Sequence, residues 1–253
     1  MREAGEVRPR PASPADSLQI AGLVPMSTVD WPDRLVATVF CQGCPWNCFY
    51  CHNQALIPTR TPGAVAWAEV RELLERRRGL LDGVVFTGGE ALRQDALADA
   101  AAEARAMGFA VGLHTAGAYP RRLADLVDSG LVDWVGLDIK ALPEHYEVVV
   151  GRPGSGEKAW SCLEALVAAR AAGGPEFEVR TTVVPGDITA DDAVEVGQRV
   201  HDAGARVYAL QQARSEGTSG DFDVVAPGWD AQCERMAERI EALGWDRFTY
   251  RPA

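Results

Sequence analysis

Four of the chain's six cysteines fall within eleven residues, in the stretch CQGCPWNCFYC from Cys41 to Cys51. The spacing Cys44-x3-Cys48-x2-Cys51 puts three thiols on one short segment. Three thiolates there can hold three irons of a 4Fe-4S cubane and leave the fourth iron without a protein ligand. A small molecule carrying an amine and a carboxylate can chelate such an open iron. The competing chemistry is a zinc site, which needs four ligands. Cys41 or His52 would have to supply the fourth, although zinc ligands usually come as two separated pairs. Tyr50, an aromatic directly before the last cysteine, supports the cluster reading, and Cys41 reads as the buried end of a strand.

A second constellation is Thr87-Gly88-Gly89-Glu90. Two glycines let backbone approach a ligand closely, and the carboxylate can accept hydrogen bonds from an ammonium group. Alone, a Gly-Gly-Glu tripeptide is most often a turn. Further polar residues recur downstream: His114-Thr115-Ala116-Gly117, Asp138-Ile139-Lys140, Arg180 with Thr182, and Gln211-Gln212. No Ser/His/Asp or paired-carboxylate arrangement stands out.

Positioning these residues falls to short apolar runs that alternate with longer helical ones, the pattern of parallel strands joined by helical crossovers. Strands are expected near 35–41, 83–87, 109–113, 132–138, 177–184 and 206–211. Helices are expected near 66–78, 93–107, 120–129, 157–172 and 189–203, each followed by a glycine suited to a left-handed end. A last helix near 229–243 and a strand near 247–251 close the chain. Strands this apolar are buried on both faces, and right-handed crossovers curl such a series into a barrel or an open part of one. The expected fold is α/β, a partial (β/α)6 TIM-like barrel, with every polar motif above at a strand's carboxyl end, where chemistry gathers.

Residues 18–253 are expected to form one domain, with its core at about 35–214, behind a disordered arm over 1–17. Hydrophobic content of 47% supports a sizeable core, and no run nears the roughly 20 apolar residues of a membrane helix. A net charge of −11 argues against a nucleic-acid surface. The first residues lack the apolar middle of a secretory signal. A cysteine cluster in such a chain favours metal over disulfides, hence a reducing, cytoplasmic setting.

The segments STVDWPDRLVATVFCQGCPWNCFYCHN, FTGGEAL, LHTAG, GLDIK, VRTTVVPG and YALQQAR, in that order over about residues 18–214, resemble the radical S-adenosylmethionine (SAM) superfamily. Within it they resemble the activating enzymes of glycyl-radical enzymes. The VDWP-like lead and LQQ-like ending look most like the anaerobic ribonucleoside-triphosphate reductase activating proteins, with pyruvate formate-lyase activating enzyme a near relative.

The resemblance implies a 4Fe-4S cluster on Cys44, Cys48 and Cys51, and the SAM amine at Gly88, Gly89 and Glu90. It also implies Tyr50 and His52 beside the adenine, Asp138 and Lys140 as a DxK pair, and Arg180 near the SAM carboxylate. Thr115 and Gln211 join the SAM site as strand-end residues. It further implies an electron from a flavodoxin or ferredoxin-type donor, reductive cleavage of SAM to a 5′-deoxyadenosyl radical, and hydrogen abstraction from a backbone glycine of a partner enzyme. A radical SAM enzyme acting on a small molecule or another peptide is the alternative. Where relatives carry Asp-Thr-Asn-Gly, this chain has His114-Thr115-Ala116-Gly117, which puts in question the monovalent cation an aspartate holds there in the pyruvate formate-lyase branch. The absence of further cysteines between His52 and Gly79 predicts a single cluster.

Overall fold

The computed structural model describes residues 13–215, 218 and 226–253. One eight-stranded sheet runs in chain order: β1 (Ile20–Ser27), β2 (Val36–Cys41), β3 (Gly83–Gly88), β4 (Ala110–Thr115), β5 (Trp134–Asp138), β6 (Glu176–Val183), β7 (Val207–Gln212) and β8 (Arg247–Arg251). β1 pairs antiparallel with β2, and every later pair is parallel. No pairing among the described residues joins β8 back to β1, so the barrel is partial. The six expected strands are β2 to β7. β1 is an addition: an edge strand holding Gly22 and Pro25, with Val24–Met26 exposed, it lacks the apolar run that reveals a buried strand.

The crossovers are α1 (Trp67–Arg76), α2 (Leu97–Ala106), α3 (Pro120–Asp128), α4 (Tyr146–Val150), α5 (Ser155–Ala171) and α6 (Ile188–Asp202), with α7 (Trp229–Glu241) leading into β8. The chain turns off α2 and α6 at Gly108 and Gly204, whose φ of 92° and 109° only glycine adopts without strain. α4 is the one crossover helix not expected, because its five residues are too few for a helical period.

Strand residues alternate between two environments. One face packs under the helices in the main core, where Trp67 stacks on Phe86 at 5.9 Å and Val39, Leu113, Leu137, Leu163, Val179 and Leu210 are buried. The other face lines the lumen. At the amino ends of the strands that lumen is filled by Trp31, Val36, Val85 and Trp134, with the two indoles stacked at 5.6 Å. Asp30 and Trp31 reach this position from the β1–β2 connection. Towards the carboxyl ends the lumen becomes polar.

Residues 14–17 correct the expectation of an arm up to residue 17. Pro14–Ser17 is a 3-10 turn capped by Ser13, whose hydroxyl donates to Glu103, and Asp16 pairs with Arg71 at 2.7 Å. Residues 1–12 lie outside the described residues.

Candidate active site

Cys44, Cys48 and Cys51 follow directly on the carboxyl end of β2. Their segment is pinned by backbone bonds from Gly43 N to Leu56 O at 2.8 Å, Cys44 N to Ile57 O at 3.1 Å and Asn47 N to Val150 O at 3.1 Å. Cys48 is buried, while Cys44 and Cys51 are half-buried against the core. Burial first, then the nearby Glu90 carboxylate, pushes the Cys44 thiol up to about 12; the Cys48 and Cys51 thiols add to the rise, so the three stand within electrostatic reach of one another. Burial also raises Cys48, against the pull of Lys140. Metal ligation deprotonates such thiols outright. Cys41 is fully buried at the strand end, and burial raises it to about 12.

Gly88 and Gly89, expected at the SAM amine, also stand where two backbones meet. A Cβ on Gly88, whose φ is 106°, would sit 2.5 Å from Cys41 N. One on Gly89 would sit 2.5 Å from Gly43 O and 2.7 Å from Gly43 C. The glycines therefore bring the end of β3 against the backbone that leads into the cysteines, and two bonds seal the contact: Gly89 N to Cys41 O at 2.9 Å and Glu90 N to Gly43 O at 3.0 Å.

Glu90 is completely buried and accepts from Thr115 Oγ1 at 2.9 Å, Ala116 N at 3.0 Å and Leu92 N at 3.2 Å. Burial outweighs these donors and raises its pKa from 4.5 to about 7. A carboxylate so placed gains from a cationic partner. Thr115, the end of β4, holds its place by accepting from Gly117 N at 3.0 Å.

At the end of β5, Asp138 accepts from Arg180 Nε at 2.9 Å and from Lys140 Nζ at 3.3 Å. Burial alone would raise this carboxyl, but the Arg180 and Lys140 charges hold it well below the usual carboxylate range. Lys140 lies 5.6 Å from the Tyr50 ring centre, its backbone N–H donates to Tyr146 Oη, and its surroundings keep it protonated in spite of burial. Tyr50 is buried, and its Oη is the one buried side-chain polar atom among the described residues without a hydrogen bond of ordinary geometry. His52 is exposed at the rim.

His114 does not reach the mouth. Its Nε2 lies 2.6 Å from the Asp30 carbonyl and its Nδ1 3.2 Å from Thr87 Oγ1. A carbonyl only accepts, so Nε2 carries the proton and Nδ1 accepts from Thr87. Burial, then the Arg180 charge, lowers its pKa to about 3, leaving a neutral ring. Gln211 stands on the β7 wall, bonded to Thr182 and Arg251. The pair formed by Arg251 and the buried Glu178, at 2.9 and 3.0 Å, was missed by sequence reasoning; its signal is the lumen-facing alternation Glu178, Arg180, Thr182 along β6.

The residues present fit a cubane and a SAM molecule beside it. Three mutually close thiols share one segment, and a buried carboxylate raised to about 7 lies close enough to raise Cys44. Among the described residues no three His, Cys, Asp or Glu groups gather as tightly as a single ion requires, whereas a cubane takes each thiolate at a separate corner.

Comparison with known proteins agrees. Residues 38–200 match the radical SAM superfamily, and the chain belongs to it. It is thus a radical SAM enzyme, of a family that uses a 4Fe-4S cluster and SAM. More particularly, it is 30% identical over 195 residues to a Methanocaldococcus jannaschii protein that carries the provisional name of glycyl-radical enzyme activating enzyme; the match covers 76% of this chain and 79% of that one.

Among solved structures it is similar in fold to SuiB of Streptococcus suis bound to the precursor peptide SuiA (TM-score 0.63, 10% identity, 85% of this chain, 48% of that one). It is also similar to QueE of Escherichia coli (TM-score 0.52, 15% identity, 91% and 92%). The chain spans about half the length of SuiB. No helix among the described residues is long and apolar enough to cross a membrane.

Proposed function

We propose that the chain is a glycyl-radical enzyme activase and that its partner is an anaerobic ribonucleoside-triphosphate reductase. The observation that carries the activase reading is the 30% match over most of the chain to a protein named for that activity. The choice of reductase rests on the VDWP-like lead and the Leu210-Gln211-Gln212 ending.

Cys44, Cys48 and Cys51 would hold the cluster, and Glu90 would accept from the SAM amine while Thr115, Ala116 and Leu92 fix its direction. Asp138, kept ionised by Arg180 and Lys140, would supply acceptors at the mouth, with Tyr50 and His52 beside the adenine. When bound, the cluster and SAM supply a 5′-deoxyadenosyl radical, made with an electron from a flavodoxin or ferredoxin-type donor. No protein acid or base is required for removing a glycine hydrogen. The protein's part is to orient and to exclude water, and the Trp31–Trp134 floor keeps solvent from the lumen's lower end.

The test is anaerobic incubation of the reconstituted, reduced protein with SAM and the reductase, read by electron paramagnetic resonance for a glycyl doublet. Silence with every glycyl-radical enzyme of the host overturns the activase reading. 5′-Deoxyadenosine formed without any doublet favours a small molecule or another peptide as substrate.

A further inference from the structure

The β6–β7–β8 wall of the lumen carries a hydrogen-bond chain whose direction is fixed from one end. Glu178, 1% exposed, accepts from Arg251 Nη2 through both oxygens, at 2.9 and 3.0 Å. The Arg251 guanidinium, anchored there, reaches Gln211 Oε1 with Nη1 at 2.8 Å. Arginine has only donors, so the side-chain oxygen of Gln211 must face Arg251 and its amide nitrogen must face away. That nitrogen donates to Thr182 Oγ1 at 3.2 Å, the residue paired with Gln211 across the β6–β7 ladder. With its oxygen accepting, the Thr182 hydroxyl is left to donate.

Gln211, Thr182 and Arg251 are half-buried and alternate along their strands with Leu210, Val183 and Tyr250, which pack in or against the main core, so they lie on the lumen face. Neither the Thr182 hydroxyl hydrogen nor the second Gln211 amide hydrogen has an acceptor among the described residues. Lumen-wall donors without a protein acceptor are open to water or to an acceptor oxygen of a molecule that enters the lumen. Elsewhere at the mouth the carboxylates are Glu90, after β3, and Asp138, on β5 beside β6, each already accepting from neighbouring donors.

We propose that Thr182 and Gln211 form a donor-only subsite for an acceptor oxygen of the bound reactants, and that Arg251 is the positioning residue that sets its polarity through Gln211. Such an oxygen has two sources: a hydroxyl or carboxylate oxygen of SAM, or a backbone carbonyl of the protein substrate beside its target glycine. The second source rests on the activase reading; the first does not.

The variants are Thr182→Val, which removes the hydroxyl at nearly constant shape, Thr182→Ser, which restores it, and Gln211→Glu, which still accepts from Arg251 but offers the lumen no donor. Arg251→Lys replaces the planar fork that reaches both Glu178 oxygens and Gln211 with a single, shorter-reaching ammonium. Thermal unfolding of each confirms a folded chain. In one arm, SAM binding to the reconstituted, unreduced protein is measured by equilibrium dialysis. In the other, KM and kcat for the reductase are read from the glycyl doublet.

A SAM dissociation constant about ten-fold weaker in Thr182→Val and Gln211→Glu, recovered in Thr182→Ser, assigns the subsite to SAM. Unchanged SAM binding with a KM for the reductase raised about ten-fold, kcat being held and Thr182→Ser recovered, assigns it to the substrate backbone. Arg251→Lys should follow Gln211→Glu in whichever arm responds, with a smaller change. Unchanged SAM binding together with an unchanged KM, or with no wild-type doublet to measure, overturns the proposal. A missing wild-type doublet by itself speaks against the activase reading, since the SAM arm still decides the subsite.

Discussion

Replacing Gly89 by alanine tests the contact on which the site is built. The new Cβ would lie 2.5 Å from Gly43 O, 2.7 Å from Gly43 C and 3.0 Å from Leu56 O, all backbone atoms that no side-chain rotation can clear. The end of β3 must then move off the cysteine segment, which puts at risk the bonds Gly89 N to Cys41 O and Glu90 N to Gly43 O. Each such bond is worth about 1 kcal/mol net. Forcing a methyl into a closed space costs a further 1–3 kcal/mol, roughly. The expected loss is about 3 kcal/mol, a shift of roughly 1 M in the urea midpoint.

Gly22→Ala is the control, since Gly22 has no atom within 4 Å of its would-be Cβ and no positive φ; it should stay within about 0.5 kcal/mol. Urea unfolding of the cluster-free protein reads stability, and iron bound after reconstitution reads the site. Gly89→Ala as stable as the Gly22→Ala control, with full iron, would refute the idea that these glycines exist to let two backbones touch.

Cys44→Ala, Cys48→Ala and Cys51→Ala should each abolish the 4Fe-4S absorbance after reconstitution, whereas Cys41→Ala, Cys162→Ala and Cys233→Ala should keep it; loss in Cys41→Ala would show that the strand end was misread. Glu90 gives a pH signature. Its folded pKa of about 7 lies above the unfolded 4.5, so between these values the folded protein holds a proton that the unfolded chain has released, and stability falls as pH rises. At about 1.4 kcal/mol per unit the shift is worth about 3 kcal/mol. Chemical denaturation of the cluster-free protein from pH 4.5 to 7.5 should show wild type losing about that much relative to Glu90→Gln, with a flat difference above pH 7.5; a difference that stays level throughout rules the shift out.

Much of the frame was legible because parallel strands buried on both faces must be continuously apolar, and the glycines after the helices mark where each crossover ends. The cysteine segment and the residues at the ends of β3, β4 and β5 follow from that frame, since only one end of such a sheet opens to a ligand. What escaped depends on distance along the chain. Arg251 meets Glu178 across 73 residues, and although the alternation Glu178, Arg180, Thr182 marks the face of that carboxylate, no local pattern announces its arginine partner. The packing role of Gly88 and Gly89 escaped for the same reason, because what crowds them is the backbone at Cys41 and Gly43. His114 lies in a strand-end motif, yet the Asp30 carbonyl captures it from below, a contact set by a connection that reads as an ordinary loop.

That connection has a consequence for chemical hazard. Trp31 and Trp134 stop the lower lumen as a cork stops a flask, and His114, bonded at both ring nitrogens, sits on top of the cork with no mobile proton to give. Among the described residues the lumen is stopped at the amino ends of the strands and polar at their carboxyl ends. A reactive species generated at the cysteines would face the Asp138, Arg180 and Gln211 rim rather than the indole floor, so whatever occupies that rim would decide whether it is spent on the target or wasted on water.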